Sequence, residues 1–599
     1  MAEYLSPGVY VEEVESGAVP MEGVSTSTAG FIGMAERGPV IGRPQLVTNF
    51  ADYQRMYGSY LSEAKYGDYR FLPYAVEQFF LNGGSRAFIM RVAPQGAKCS
   101  ATSGSAVLKF TAANPGEWGD RLRVIVTPAS KAKTQALEAI DDRSVRVKSC
   151  DGFTAGDVVE FYDGRTLSHN RVKSAIDGVL SFEEPIGCDI VDTNLLPKKV
   201  IKTCEFNVSV RFEDAEETYL NVSLNESASS YIAARMQKSE LVTVEVGKVP
   251  AQPAAAPASA EKKDDKKDDK APALVPAAKT AGVMPPYKAV GGVGESLSLG
   301  FFGGSDGNIE GTKASDYMGS DNGPGKRTGI QAFLENAQVS IMAVPGVTDS
   351  DVQLALVAHC ENTKSRFAVL DIPLDKKKVG DVLDHRNMFD TSYAALYHPW
   401  LEVFDPLARK SSYMPPSGAM VGIYARTDTE RGVQKAPANE VVRGCTGLSC
   451  PYNEGEQDIL NPQGVNLIRS FTGRGIRVWG ARTASSNPLW KYINVRRLFI
   501  FVEESLKANT NWVVFEPNSE ALWSRVQRTI ELFLSSMWRS GALAGASPGE
   551  AFFVNIGRST MTQDDIDNGR LICNIGIAPV RPAEFVIFRI TQHTVESAG

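Results

Sequence analysis

The rhythm of apolar and polar positions changes several times along this chain. Between residues 28 and 92, short apolar runs at 28–34 and 87–92 read as strands. Segments 50–57 and 74–81 show helical spacing, and Gly38-Pro39 and Asn82-Gly83-Gly84 mark turns. Alternating strands and helices predict α/β packing. From 94 to 247 the period shortens. Runs at 107–110, 122–128, 145–147, 158–162, 179–182, 206–212 and 241–246 are split by Asp151-Gly152, Asp163-Gly164 and Asp177-Gly178. Short strands punctuated by Asp-Gly turns predict a mostly β insertion. Residues 250–286 lose all periodicity and consist largely of Ala, Pro and Lys-Lys-Asp-Asp units. Such a stretch buries too little apolar surface to order itself and reads as a linker.

Order returns at 296–302, followed by the turn Gly303-Gly304-Ser305-Asp306-Gly307. A strand at 339–344, a helix capped by Asp349 and running to Cys360, and a strand at 367–371 form one βαβ unit. A further strand is expected at 394–397, and Pro415-Pro416-Ser417-Gly418 leads into a helix-compatible segment at 419–426.

The last part, from about Gly475, organises the rest. Residues 476–481 read as a strand, 496–507 as a helix, and Trp512-Val513-Val514-Phe515 as a short buried strand. Asn518 or Ser519 then caps a long helix that Gly541 closes. One face of that helix carries Trp523, Val526, Ile530, Phe533, Leu534 and Met537. The other carries Arg525, Arg528, Ser535 and Arg539, with Leu532 among them. Two readings of the basic face stand side by side: an ordinary solvated face, or a docking surface for an acidic partner. Strands are expected at 551–556, 571–578 and 584–592. A strand is also expected near the start, in Val9-Tyr10-Val11-Glu12 after the turn Pro7-Gly8. A β-segment at each end can pair within its own fold or with a neighbour's sheet edge.

Composition narrows the function classes. A 599-residue chain has room for several cores, and 43% hydrophobic with 22% charged residues is typical of a folded domain protein. A net charge of −7, and lysines in the linker that its aspartates nearly balance, argue against direct nucleic-acid binding. No apolar run is long enough to span a bilayer, so no membrane insertion is expected. The start Met1-Ala2-Glu3-Tyr4 lacks a signal pattern, so synthesis and folding in the cytoplasm are expected.

The search for chemistry is mostly negative. Gly323-Pro324-Gly325-Lys326-Arg327-Thr328 has Arg where a phosphate loop needs Ser or Thr. Asp371 ends a candidate parallel strand, where active sites of open sheets lie, but it stands alone. His359, His385 and His398 lack the spacing of a helical zinc site. Cys445 and Cys450 have no further ligands nearby. The expectation is no catalytic residue, no cofactor and no metal.

Several motifs in order carry a resemblance. Ser6-Pro7-Gly8-Val9-Tyr10-Val11-Glu12-Glu13, the Gly303–Gly307 turn, Met414-Pro415-Pro416-Ser417-Gly418-Ala419-Met420-Val421-Gly422, Arg431-Gly432-Val433-Gln434-Lys435-Ala436-Pro437 and Arg477-Val478-Trp479-Gly480-Ala481-Arg482 resemble the contractile tail sheath family. The similarity covers about 1–93 and 300–599 and leaves 94–299 unmatched. It implies a structural subunit that polymerises helically in stacked rings around an inner tube and contracts to drive the tube through a target envelope. It also implies baseplate and terminal cap proteins as partners, assembly in the bacterial cytoplasm, and residence in a phage tail or injection-system particle. Strand exchange between subunits would fall to Val9, Tyr10, Val11 and Glu12 at one end. At the other it would fall to Phe585, Val586, Ile587, Phe588, Arg589 and Ile590. Tube contact would fall to Arg525, Arg528 and Arg539.

The expected fold is thus mixed α/β and multidomain. It has an N-terminal arm (1–20), an α/β core (21–93 with 300–473), a β-rich outward insertion (94–249) and a linker (250–290). A C-terminal inner domain (474–580) and a C-terminal arm (581–599) complete it. The competing readings are a hydrolase-like α/β enzyme with an accessory β domain, and a non-contractile filament or surface-layer protein.

Overall fold

The computed structural model describes residues 21–103, 105, 107–162, 167–186, 199–248 and 283–587. The N-terminal calls at Val9, Tyr10, Val11 and Glu12, and Phe588, Arg589 and Ile590 at the other end, lie outside these residues, as does most of the linker. The chain divides into two units. One comprises Met1–Ala35, Pro39–Val92 and Glu310–Gly599; the other comprises Glu36–Gly38 and Ala93–Ile309. The fold is mixed α/β.

In the first unit, an eight-stranded sheet runs in the order Gln45–Val47, Ala87–Arg91, Ala29–Gly33, Ile341–Ala343, Phe367–Asp371, Ala394–His398, Val465–Phe471, Gly475–Val478. The inner strands pair in parallel. The two edge strands are antiparallel. Parallel strands covered on both faces require apolar residues on both sides. Ala29–Gly33, Phe367–Asp371 and Ala394–His398 are buried at every position. The helix Ser417–Arg431 lies in the core over one face, with Ser417 to Thr427 buried throughout. It packs so closely on Leu72–Leu81 that a Cβ on Gly418 would stand 2.4 Å from the carbonyl oxygen of Ala75.

Asp371, the lone acid at a strand end, is a structural cap. It accepts hydrogen bonds from the backbone N–H and Oγ of Ser417, at 2.8 and 2.7 Å, and from the backbone N–H of Gly346 at 3.0 Å. Burial pushes its carboxyl up to about 6, against the pull of these donors. The histidines are structural as well. His359 lies against Arg366, His385 Nε2 is 2.9 Å from Gln353 Oε1, and His398 Nε2 is 3.0 Å from the Tyr452 hydroxyl. Burial pushes them down to about 3, 4 and 3 respectively, so they stay neutral.

The C-terminal segment builds its own hydrophobic cluster within this unit. The helices Ile493–Asn509 and Glu520–Arg539 and the hairpin Phe552–Ile556/Cys573–Ile577 enclose Leu498, Val526, Ile530, Phe533, Leu534, Met537 and Val554. Ser519 caps the long helix and Gly541 leaves it at φ 79°. The buried strand expected at 512–515 is absent. Asn511–Val513 is a 3-10 turn, and Val514 and Phe515 are exposed. A β-prone run forms a strand only where a partner strand is within reach; here the ends of two helices bracket it.

The second unit is β-rich. A seven-stranded sheet runs Ala215–Val222, Glu205–Phe212, Arg123–Ala129, Leu297–Phe302, Ala101–Thr102, Leu108–Ala112, Val242–Val246. A closed barrel runs Val158–Tyr162, Leu167–Ile176, Val179–Phe182, Ser144–Val147, Lys133–Ala139, Val200–Thr203. Leu297–Phe302 pairs with Arg123–Ala129, so the chain returns to the first unit at Glu310 rather than at 300. The expected boundary at 300 followed the extent of the family resemblance, and it falls early because Leu297–Phe302 completes the second unit's sheet.

The cap at Asp371 yields a stability test. Asp371→Ala leaves buried donors on Ser417 and Gly346 without an acceptor. It should cost about 2–3 kcal/mol in denaturant unfolding, with secondary structure retained.

Candidate functional site: two arm roots on one helix

The helix Ile493–Asn509 holds both ends of the described chain. Arg497, Phe501, Ser505 and Asn509 recur every four residues and so share one face. Residues 22–26 lie along that face as a strap. Asn509 Nδ2 donates to the Glu22 carbonyl at 2.8 Å, and its Oδ1 accepts from Glu22 N–H at 3.3 Å. Val24 N–H donates to Ser505 Oγ at 3.1 Å. A Cβ on Gly23 would stand 2.5 Å from the Phe501 ring, so only glycine lets the strap lie this close.

The strap ends at a buried ion pair. Arg497 forks onto Asp428, with Nη1 2.8 Å from Oδ1 and Nη2 on Oδ2. Their side chains are 4% and 5% exposed. Arg497 Nη2 also donates to the Thr26 carbonyl at 2.9 Å, and Thr26 Oγ1 donates to Asp428 Oδ2 at 2.6 Å. The pair therefore binds three segments: the helix Ser417–Arg431, the helix Ile493–Asn509 and the strap. A buried pair of this kind is costly to break from one side, by about 3–5 kcal/mol.

The other root begins at the first turn of the same helix. Asn494 Nδ2 donates to the Val580 carbonyl at 3.0 Å. Glu584 is then gripped from several sides. Arg482 donates two hydrogen bonds to it, at 2.8 and 2.7 Å, the Tyr492 hydroxyl one at 3.0 Å, and Asn461 Nδ2 one at 2.8 Å. Lys491 Nζ is 3.8 Å away. Burial alone would raise the Glu584 carboxyl, but Arg482, Asn461 and Tyr492 outweigh it and hold it below the usual glutamate value. The three residues after this clamp, Phe585, Val586 and Ile587, are 72%, 69% and 79% exposed. A β-prone apolar run thus stands exposed immediately after the last anchor among the described residues.

The long helix presents the face expected of it. Arg525, Arg528 and Arg539 are exposed, as is Leu532. Arg525 stacks over the Trp512 ring at 4.1 Å. Among the described residues none of these three arginines has an acidic partner. The hairpin behind this helix has two strands among the described residues. Among the described residues no further strand pairs along the outer edge of either Phe552–Ile556 or Cys573–Ile577. The exposed run Phe585–Ile587 and the three arginines thus lie on one C-terminal segment. Arg482 entered the sequence reading only within the motif 477–482, and Asn461, Tyr492, Arg497, Ser505 and Asn509 were not assigned a clamp role, because no spacing pattern links them to partners 69 to 487 positions away.

Residues 310–484 match the phage tail sheath protein central domain, and residues 485–593 match the phage tail sheath C-terminal domain. A chain in the baseplate structure of the anti-feeding prophage is 38% identical over 43% of this chain and 69% of its own length, with a TM-score of 0.38. The chain belongs to the phage tail sheath family. A putative prophage major tail sheath protein of Pseudomonas aeruginosa (strain UCBPP-PA14) is 25% identical over 289 residues, which is 46% of this chain and 72% of that protein. An extracellular contractile injection system, the PVC sheath complex in its contracted state, shares the fold across 100% of both chains, at 20% identity and a TM-score of 0.50. The helix Ile493–Asn509, Glu584 and the basic helix face fall within the matched C-terminal domain, Asp428, Asn461 and Arg482 within the matched central domain, and the strap at 22–26 outside both.

The Glu584 clamp gives a pH test with a defined sign. Its folded value lies below its unfolded one, so its stabilisation is complete above the usual glutamate range. That stabilisation disappears as pH falls through the folded value. Amide protection at 579–584, read by hydrogen exchange, should fall on acidification in the native protein. In Glu584→Gln it should be low at neutral pH and indifferent to pH, while the helix Ile493–Asn509 stays protected.

Proposed function

We propose that this protein is a sheath subunit that polymerises helically in stacked rings around an inner tube, and whose contraction drives that tube through a target envelope. The observation that carries this reading is that two anchored chain ends share one segment with a hairpin whose outer edges carry no strand among the described residues. Residues 22–26 and 580–584, at the two ends of the described chain, are each fixed beside one helix, and among the described residues no strand pairs on either outer edge of the hairpin in the same segment. The hairpin is supported by its packing on the long helix, while its outer edges offer main-chain donors and acceptors to an added strand. Arms of neighbouring subunits would complete it by main-chain pairing, at Val9, Tyr10, Val11 and Glu12 from one neighbour and Phe585 to Ile590 from another.

Strand pairing of this kind is directional, yet it swivels at a flexible tether. Subunits can therefore move as nearly rigid bodies while the mesh stays closed. The extended state is held kinetically and releases its energy on firing. Arg525, Arg528 and Arg539 would grip acidic groups of the tube. Exposed ion pairs worth about 0–1 kcal/mol each suit a contact that breaks on firing and is multiplied over many subunits.

In this reading the subunit is a structural, non-catalytic part of a phage-tail or injection-system particle. It assembles in the bacterial cytoplasm and ends on baseplate and terminal cap proteins. Asp371, the residue an enzyme reading would need, is committed to holding Ser417 and Gly346.

Two measurements test it. Electron microscopy of protein co-expressed with its tube should show striated cylinders; monodisperse monomers with hydrolytic turnover would contradict the reading. Charge reversal at Arg525 and Arg528 should sharply reduce tube-bound extended sheath while leaving the subunit folded. Normal yields from that variant would remove this face from the contact.

A further inference from the structure

The barrel of the second unit holds a cluster that sheath assembly leaves unused. Glu160, His169 and Cys204 each offer one donor atom, and the three atoms lie within 4.8 Å of one another. Strand pairing brings them together from distant positions. Glu160, in Val158–Tyr162, stands directly opposite His169 in Leu167–Ile176 and opposite Lys202 in Val200–Thr203. Side chains alternate along a strand, so Cys204 returns to the side of the sheet that Lys202 occupies. Val159 and Phe161 fill the barrel core, which turns Glu160 outward. The carboxylate and the imidazole are nonetheless sheltered. Their side chains are 19% and 13% exposed, with His169 Nε2 3.6 Å from Glu160 Oε2.

We propose that Glu160, His169 and Cys204 form a binding site for a divalent cation of the zinc class, with a fourth position open to water. A sulfur, a nitrogen and an oxygen donor suit zinc or cobalt(II); magnesium and calcium take oxygen donors. Tetrahedral bonding at zinc distances sets donors about 3.5 Å apart. Side-chain rotation on binding would have to bring the donors from within 4.8 Å of one another to that value. Binding exchanges the thiol proton for the ion: a metal–sulfur bond forms, and the proton leaves to solvent. Lys202 Nζ, 2.8 Å from Glu160 Oε1, is the competing cation.

The position suggests what such an ion does. Cys204 is the single residue between the barrel strand Val200–Thr203 and the sheet strand Glu205–Phe212. An ion there ties three segments where the chain passes from barrel to sheet. That passage is otherwise held by Lys131, 2.7 Å from Asp157 and 3.7 Å from Glu205. The site would staple the insertion and leave the sheath core untouched.

The test uses the full-length protein, freed of metal with a chelator and titrated with cobalt(II). One equivalent should bring up visible d–d bands of tetrahedral intensity and a thiolate-to-cobalt band in the near ultraviolet, all displaced by zinc. Cys204→Ser should lose the thiolate band. His169→Ala should weaken binding about tenfold or more, since losing a ligand costs at least what losing an outer-shell partner does. Lys202→Ala removes the competing charge and should tighten binding; it also keeps the proposal testable if Cys204→Ser fails to fold. Cys150→Ser should leave the spectrum unchanged. Absence of the bands, their survival in Cys204→Ser, or unchanged affinity in Lys202→Ala would overturn the proposal.

Discussion

The buried Arg497–Asp428 pair is the constraint on which the rest of the C-terminal architecture depends. Desolvating two charges costs several kcal/mol per ion, and only a well-formed geometry offsets that cost. Here the guanidinium forks onto the carboxylate and also binds the Thr26 carbonyl, while Thr26 returns a hydrogen bond to Asp428. What the pair supplies is position. It fixes the helix Ile493–Asn509 against the helix Ser417–Arg431, which is itself buried over the eight-stranded sheet. It also ends the N-terminal strap at one defined place. Sheet, helix and strap become one body.

The mechanical consequence follows from where the second root lies. Val580 and one side of Glu584 are held by Asn494 and Tyr492 at the start of that same helix, the rest of Glu584 by Arg482 and Asn461, and Glu22 by a residue at the helix's last turn. In the proposed polymer, a pull arriving at Glu22 would load the last turn of this 17-residue helix, and one arriving at Glu584 its first turn together with Arg482 and Asn461; the helix is about 25 Å long at 1.5 Å per residue. A helix carries tension along its axis without rearranging side chains, so the pull reaches the sheet core through Arg497. Polar clamps suit this role better than apolar packing. Directional hydrogen bonds resist sliding along the chain, whereas an apolar strap would shift register at little cost.

Much of this fold was legible in the sequence, and the parts that were not share a cause. Asp349 and Ser519 cap helices, and Gly541 ends one, because those signals act over three or four residues. The two faces of the long helix follow from its period. The arm roots were invisible, because Thr26 lies 471 positions from Arg497 and Glu584 lies 102 from Arg482. No local pattern marks a hydrogen bond between such partners. The same holds for Leu297–Phe302, whose neighbours in its sheet come from Arg123–Ala129 and Ala101–Thr102. The strand expected at 512–515 failed for a related reason: local β-propensity was real, but Val514 and Phe515 find no partner strand among the described residues and stand exposed. The exposed run Phe585–Ile587 has the same local character with a different prospect, since it directly follows a clamp.

The central claim is that each subunit is incomplete and is finished by strands lent from its neighbours. A cryo-electron microscopy reconstruction of the assembled polymer tests it most directly. The account predicts continuous main-chain density from Glu584 to the outer edge of a neighbouring Phe552–Ile556/Cys573–Ile577 hairpin. It also predicts density from Glu22 outward to the hairpin's remaining edge in a different subunit. Density showing both ends paired inside their own subunit, with hairpin edges bare between subunits, would contradict it.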